Sequence, residues 1–240
     1  GHCRAPTDTP LQPLSSDCGR YVLCLDGRLY NRADLQAQLR DLPRNCSDAR
    51  LLLQAIVEWG VERALSRIEG AFGFSVWDRE SRALWLARDP VGERPLYYGW
   101  YQGRFLFASE LKALQAFDGF SPSIDQDALS LLLRHDYVPA PHTIYRGIHK
   151  LVAGAMLRID MNDHAAGHSG MAAQGGSRYW CARDAMHSAL QEPLQPAPSL
   201  EQATDQLEAV LQKAIAARMH SPLACGAFLS GGTDSSLVTA

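Results

Sequence analysis

The sequence predicts an α+β protein, antiparallel sheet with a few helices, that runs into the opening of an α/β domain. Three observations predict it. Short apolar runs recur at close spacing between residues 20 and 108, as strands of an antiparallel sheet do. Helical patterns with caps are few and short until residue 199. Finally, the short apolar run 226–229 leads directly into Ser-Gly-Gly-Thr-Asp-Ser-Ser and an apolar helix start, the strand, loop and helix order of an α/β unit.

Residues 20–26 are an apolar run between Gly19 and Gly27, which predicts a buried strand with a turn at Asp26-Gly27. Ser47 is placed to cap a helix over 48–59, with Leu51, Leu52, Ala55 and Ile56 on one face and Gly60 as its stop. A strand pair follows at 71–78 and 83–88, with Phe72, Phe74 and Val76 alternating with smaller residues. A strand at 104–108 precedes a short helix at 110–116. From Phe120 the character changes: Ser123 and Gln126 form a capping-box pattern for a helix through His135, and a proline-rich loop follows at 137–142. Residues 162–177 are rich in Gly, Ala, His and Ser and read as an exposed loop. Ser199 with Gln202 is a second capping box, opening a helix with Leu200, Ala203, Leu207, Val210, Leu211, Ala214 and Ile215 on its apolar face. A domain boundary is expected near Phe120, giving domains 1–119 and 120–240.

Composition excludes several classes. A net charge of -3 without blocks of like charge gives no footprint for nucleic acid or for an anionic membrane. No apolar run has the roughly 20 residues of a membrane span. The six cysteines (Cys3, Cys18, Cys24, Cys46, Cys181 and Cys225) have neither CxxC nor Cys/His ligand spacing, so reduced thiols in a cytoplasmic protein are expected and no metal site is predicted. The histidines, among them His135, His142, His149, His164, His168 and His187, lack regular metal spacing and default to surface or loop positions. No Met precedes Gly1, and Ala240 falls within an apolar run that should be opening a helix, so both ends are expected to be cut from something longer.

The loop from Leu229 through Ser230, Gly231, Gly232, Thr233, Asp234, Ser235 and Ser236 carries the clearest chemistry. Its glycines admit close backbone approach, its N–H groups open a helix, and its hydroxyls add donors, which together suit a phosphate. It lacks the Lys and the spacing of a Walker loop. A plain turn between strand and helix is the competing reading.

This loop resembles the SGGxDSS pyrophosphate loop of the ATP pyrophosphatase group. Together with YVLCLDGRLYN (21–31), Ser47-Asp48, IEGAFGFSVWD (68–78), ARDPVGERPLYY (87–98), FASELKAL (107–114) and YVPAPHTIYRGI (137–148), it makes nearly the whole chain similar to the asparagine synthetase family, in the family's order. The resemblance implies a glutamine amidotransferase domain of the sandwich type with an N-terminal nucleophile. It further implies a doubly wound ATP pyrophosphatase domain that activates a carboxylate, aspartate in the namesake case, with ATP and Mg2+. Asp234 would position the phosphates or their magnesium. Small molecules (glutamine, ATP, and aspartate or a related acid) are the partners implied, and a homo-oligomer is compatible with the sequence.

The same resemblance places Gly1 inside the first domain, so the nucleophilic Cys is expected outside this chain and Cys3 is an interior residue. Arg4 would pair with the α-carboxylate of glutamine and Asp48 would accept from its α-ammonium group. Gly27 would offer an N–H to the oxyanion. The family's Asn and Glu around that glycine are Asp26 and Arg28 here. A carboxylate cannot donate to an oxyanion, and one lost donor costs about 100- to 1000-fold in rate. A weakened glutaminase site is therefore expected, with either an Asp26–Arg28 ion pair or a simple Asp-Gly turn in its place. Arg88 and Asp89 are expected to form a buried ion pair holding a loop, and Glu110 and Lys112 to be solvated or paired. The alternatives to an asparagine synthetase are an ammonia-using or cyclising relative of the β-lactam-synthetase kind, and a non-catalytic remnant.

Overall fold

A computed structural model describes residues 11–40, 42–43, 45–160, 176–191, 197–219 and 226–240. They fall into two compact units, one ending at Ala185 and one beginning at Met186.

The first unit is a layered α+β sandwich. Strands β1 (Leu14–Ser15), β2 (Tyr21–Leu29), β3 (Gly70–Asp78), β4 (Ala83–Arg88), β8 (Ala155–Asp160) and β9 (Ser177–Arg178) form one antiparallel sheet in that order. A smaller sheet runs β6 (Arg104–Ala108), β5 (Tyr97–Tyr101), β7 (Ile148–Lys150). The larger sheet is covered on one face by helices α1 (Arg32–Gln38), α2 (Asp48–Trp59) and α3 (Val61–Leu65).

Period-two alternation explains the layering. Leu23 and Leu25 of β2 and Phe72, Phe74 and Val76 of β3 share the face against Leu51, Leu52, Ala55 and Ile56 of α2. Each large side chain fully buried there contributes about 2 kcal/mol. The next strands supply the opposite face: Leu86 and Leu157 meet Leu96, Tyr98 and Leu151 in a second core.

The expected elements hold with definite differences. Helix α2 has the predicted bounds, capped by Ser47 Oγ accepting from Arg50 N–H at 3.2 Å and stopped at Gly60 with φ +80°. Strand β2 does not turn at Asp26-Gly27 but runs on to Leu29, because Gly27, Arg28 and Leu29 stay paired to Phe72, Ala71 and Gly70. Helix α4 (Leu111–Leu114) is shorter than expected, and Lys112 pairs with Glu110 at 2.7 Å. Helix α5 (Gln126–His135) is capped by Asp125, which accepts from Asp127 and Ala128 N–H, and not by Ser123, whose carbonyl accepts from Arg146 N–H. Beyond Phe120 the chain returns to both sheets through β7 and β8. Of the expected loop 162–177, residues up to 175 lie outside the described residues, and Ser177 belongs to β9.

Beyond helix α6 (Ala182–Gln191), in the second unit, Ser199 Oγ accepts from Gln202 N–H at 3.2 Å and Gln202 Oε1 accepts from Ser199 N–H at 2.9 Å, the reciprocal capping box that opens α7 (Leu200–Met219). Residues 226–229 carry no strand, against expectation, with Phe228 almost fully exposed. A single segment has no ladder until a neighbour pairs with it.

The turn after β3 gives one testable ion pair. Asp78 accepts from Arg20 at 3.0 and 2.8 Å and from the N–H of Glu80 at 3.0 Å. Burial pushes this carboxyl up, but the Arg20 fork and the turn N–H groups outweigh it and hold Asp78 at about 2. Because the folded value lies below the ordinary one, the stabilisation is complete above about pH 4 and disappears as pH falls through about 2. Asp78→Asn is expected to cost about 1–2 kcal/mol at pH 7 and almost nothing at pH 2. Urea midpoints across that range check it, and a pH-independent cost would refute the assignment.

Candidate functional site

Asp26, Gly27 and Arg28 stand in the second half of β2, where Asp26 opposes Gly73 and Gly27 opposes Phe72. Gly27 has φ +143°, and a Cβ there would lie 2.1 Å from the Ala71 carbonyl oxygen, so the strand can pass only without a side chain. Asp26 lies on the face opposite Leu23 and Leu25, together with Cys24. Asp48 opens α2 next to the end of this strand: its Oδ2 accepts from Leu29 N–H at 3.1 Å and its Oδ1 is paired with Arg32. Arg32 also donates to the Cys46 carbonyl at 2.6 Å, so one guanidinium ties α1 to the chain before α2. The expected acceptor of an α-ammonium group thus already carries a cation of its own fold. Arg4 and Cys3 lie outside the described residues.

Over this face lies the segment that follows β4. Asp89 is fully buried and accepts from the N–H groups of Glu93 and Arg94, each at 2.9 Å. Arg88 donates to the carbonyls of Arg94 at 2.6 Å, Gly92 at 2.7 Å and Leu151 at 2.7 Å. Burial pulls the Arg88 pKa down, with Asp89 acting in the opposite sense. The two residues do hold a loop, as expected, but each does so through backbone groups of residues 92–94. Tyr179 adds a bond from its hydroxyl to the Arg88 carbonyl at 2.7 Å, and burial first, then Asp89, raises its pKa.

The braced segment crosses the sheet at Gly73: a Cβ on that glycine would stand 3.5 Å from Pro95 O and 3.9 Å from Arg94 Cβ. From there Arg94 Nη1 faces Asp26 Oδ1 at 3.9 Å, with both side chains half-exposed. Below lies a cavity of about 300 Å³ between the two sheets, lined by Cys24, Asp26, Gly73, Ser75, Phe107 and Ser109 among others. Burial pushes the Cys24 thiol up, against a hydrogen bond from Ser75. Sequence reasoning missed Arg94, because its proximity to Asp26 depends on sheet register and on the Arg88 and Asp89 brace rather than on spacing.

The phosphate-loop candidates lie in the second unit. Gly231 has φ +80°, and a Cβ on it would find nothing within 4 Å. Helix α8 (Thr233–Thr239) starts behind Gly232, with Asp234 in its first turn. Ser230 Oγ and Ser235 Oγ are 2.9 Å apart, and Ser235 and Ser236 Oγ donate to the Gly232 carbonyl at 3.1 and 2.8 Å. Leu229 and the rest of the loop are exposed, apart from the half-buried Ser235.

His149 departs from the expected loop placement: it lies in β7 against the Tyr98 ring, centroids 5.8 Å apart, where burial lowers its pKa. His164 and His168 lie outside the described residues. Among the described residues no group of His, Cys, Asp and Glu is arranged to hold a metal ion, and no helix is long and apolar enough to cross a membrane.

Helices on one face of an antiparallel sheet, a second sheet on the other, and a cavity between the sheets define an α+β sandwich of the glutamine amidotransferase type. The chain belongs to the glutamine amidotransferase domain family, whose sequence model matches residues 2–169. The asparagine synthase model matches residues 206–240. A Mycobacterium tuberculosis (strain ATCC 25618 / H37Rv) protein, provisionally named an asparagine synthetase (glutamine-hydrolyzing), is 34% identical over 92% of this chain and 33% of its own length. Asparagine synthetase (glutamine-hydrolyzing) 3 of Bacillus subtilis (strain 168) is 29% identical over the same shares. The chain spans about a third of the length of these relatives. Among solved structures, the B. subtilis glutamine phosphoribosylpyrophosphate amidotransferase complexed with ADP and GMP aligns with a TM-score of 0.46 at 23% identity, covering 67% of this chain and 32% of that one.

Proposed function

We propose that the protein carrying this chain is an ATP-dependent, glutamine-using amidotransferase of the asparagine synthetase kind, working in the cytoplasm. The observation that carries this reading is the order of parts on one chain: an amidotransferase sandwich, then a segment similar to asparagine synthases that contains the SGGTDSS loop. Arg4 and Asp48 would bind the α-carboxylate and α-ammonium of glutamine. Gly27 would direct its N–H at the amide oxygen, and Asp26 and Arg28 border it. In the second unit, the left-handed Gly231 leaves open space for a phosphate, and the hydroxyls of Ser230 and Ser235 sit together beside the helix start. Leu229, Gly232, Thr233 and Ser236 complete that wall. Asp234 would hold the Mg2+ of the nucleotide, whose charge favours attack at phosphorus. A substrate carboxylate displaces pyrophosphate from ATP to give an acyl-adenylate, and ammonia then displaces AMP to give the amide.

The test uses the full-length protein with aspartate, MgATP and either glutamine or ammonium. Asparagine, AMP and pyrophosphate are expected in equal amounts, and Asp234→Ala is expected to lower pyrophosphate release about 100-fold. Release of ADP and phosphate instead, or the absence of any acid-dependent pyrophosphate, would sink the reading.

A further inference from the structure

Asp26 puts a negative charge beside the place where an amide oxygen would become an oxyanion, and a carboxylate has no N–H to offer. The structure brings the missing donor from another element. Arg94 Nη1 lies 3.9 Å from Asp26 Oδ1, within reach of an ion pair, and a guanidinium has five N–H donors, more than one carboxylate can take up. Its backbone is fixed at both polar groups: its N–H donates to Asp89 and its carbonyl accepts from Arg88, both of them buried. Gly73, bare of a side chain, lets Arg94 and Pro95 cross the sheet directly opposite Asp26. Such a bracing is more than a half-exposed ion pair needs, since exposed pairs add little to stability. The product of the bracing is a cation held at the rim of the inter-sheet cavity, next to the residues that line it.

We infer that Arg94 is the oxyanion-stabilising residue of the glutamine site, held there by Asp26, and that the two together replace the single amide donor this position would otherwise carry. The inference rests on the glutamine-using reading above. In the reaction a thiolate bonds to the side-chain carbonyl carbon of glutamine and the C=O pair moves to oxygen beside Arg94. That pair returns as the amide nitrogen takes up the proton the thiol gave up and leaves as ammonia, and water then cleaves the thioester to glutamate and the free thiol. Arg94 opposes the charge on oxygen in the first step, while its pairing keeps the Asp26 carboxylate from opposing the same step.

The experiment compares full-length wild type with Arg94→Ala, Arg94→Lys, Asp26→Asn and the double variant Asp26→Asn/Arg94→Ala, supplied with either glutamine or ammonium. Arg94→Ala is expected to lower the glutamine-dependent kcat about 100-fold with KM changed less than about threefold, and to leave ammonium-dependent synthesis intact. Arg94→Lys keeps the charge but loses the planar fork, and is expected to retain about a tenth of the rate. Asp26→Asn restores an amide donor, so the double variant is expected to recover most of what Arg94→Ala loses. A purely structural Arg94 would not be rescued from across the site in this way. An unchanged kcat in Arg94→Ala, or a double variant as slow as the single one, overturns the role of Arg94 and leaves the amidotransferase reading standing. A wild type that makes amide from ammonium but releases none from glutamine overturns both this inference and the glutamine half of that reading.

Discussion

Asp89→Ala is expected to destabilise the protein by about 4 kcal/mol, the range for removing one member of a buried charged network. Asp89 is fully buried, and its carboxylate satisfies the N–H groups of Glu93 and Arg94. Its loss leaves two N–H groups without their acceptor and the Arg88 guanidinium without the carboxylate that offsets its desolvation. Arg88 cannot escape by losing its proton, since arginine stays charged in proteins. Its three carbonyl bonds would have to carry the burial alone. For a unit of this size each kcal/mol moves Tm by about 2–4 °C, so a fall of about 10 °C is expected by calorimetry. Val91→Ala in the same loop is the control: Val91 is exposed, and a change within about 0.5 kcal/mol is expected. If Asp89→Ala behaves like Val91→Ala, the brace is not what holds the loop. Because the loop carries Arg94, loss of glutamine-dependent activity is expected to accompany the instability.

Gly27→Ala is expected to cost about 4 kcal/mol as well, through a different mechanism. The residue sits at φ +143°, where a side chain is strained by about 1–3 kcal/mol, and the new Cβ would meet the Ala71 carbonyl oxygen at 2.1 Å. Neither partner can yield cheaply, because both atoms are fixed in the central β2 and β3 ladder. The Asp26-Gly27 pair that suggests a turn is therefore a point of close backbone approach within a continuous strand. Gly19→Ala makes the comparison: its φ is +72° but a Cβ there meets nothing within 4 Å, so a smaller cost of about 1–2 kcal/mol is expected from urea titration. Equal costs for the two would mean that backbone conformation alone, and not the approach of Ala71, sets the requirement.

Local chemistry made both ends of α2 and the start of α7 legible, though not the start of α5, which Asp125 caps in place of Ser123. Ser47 and Gly60 bound α2, and Ser199 with Gln202 opens α7, because a cap is decided by residues three or four apart. The apolar alternation of β3 and β4 was legible for the same reason. Strands β5, β7 and β8 were missed: Tyr97–Tyr101 is aromatic on both faces around Gly99 and shows no alternation, and Ile148–Lys150 is too short to show a period. Their strand character comes from neighbours, Tyr98 from Phe107 and His149, Leu157 from Leu86. In the same way 226–229 has the composition of a strand but no partner among the described residues, and is not one.

For the candidate site, the sequence by itself determined the residue types: a carboxylate and an arginine around Gly27, an acid opening α2, and a glycine- and serine-rich loop before α8. It determined also that Gly27 stands where backbone freedom matters, though not why. Only the tertiary structure decided the pairings. Asp48 meets Arg32 and the end of β2, Arg88 and Asp89 spend their bonds on backbone groups, and Arg94 meets Asp26 across the sheet. The physical reason is that periodicity states which face a side chain takes, while its neighbour on that face is set by register and by loops whose path depends on buried polar groups finding partners.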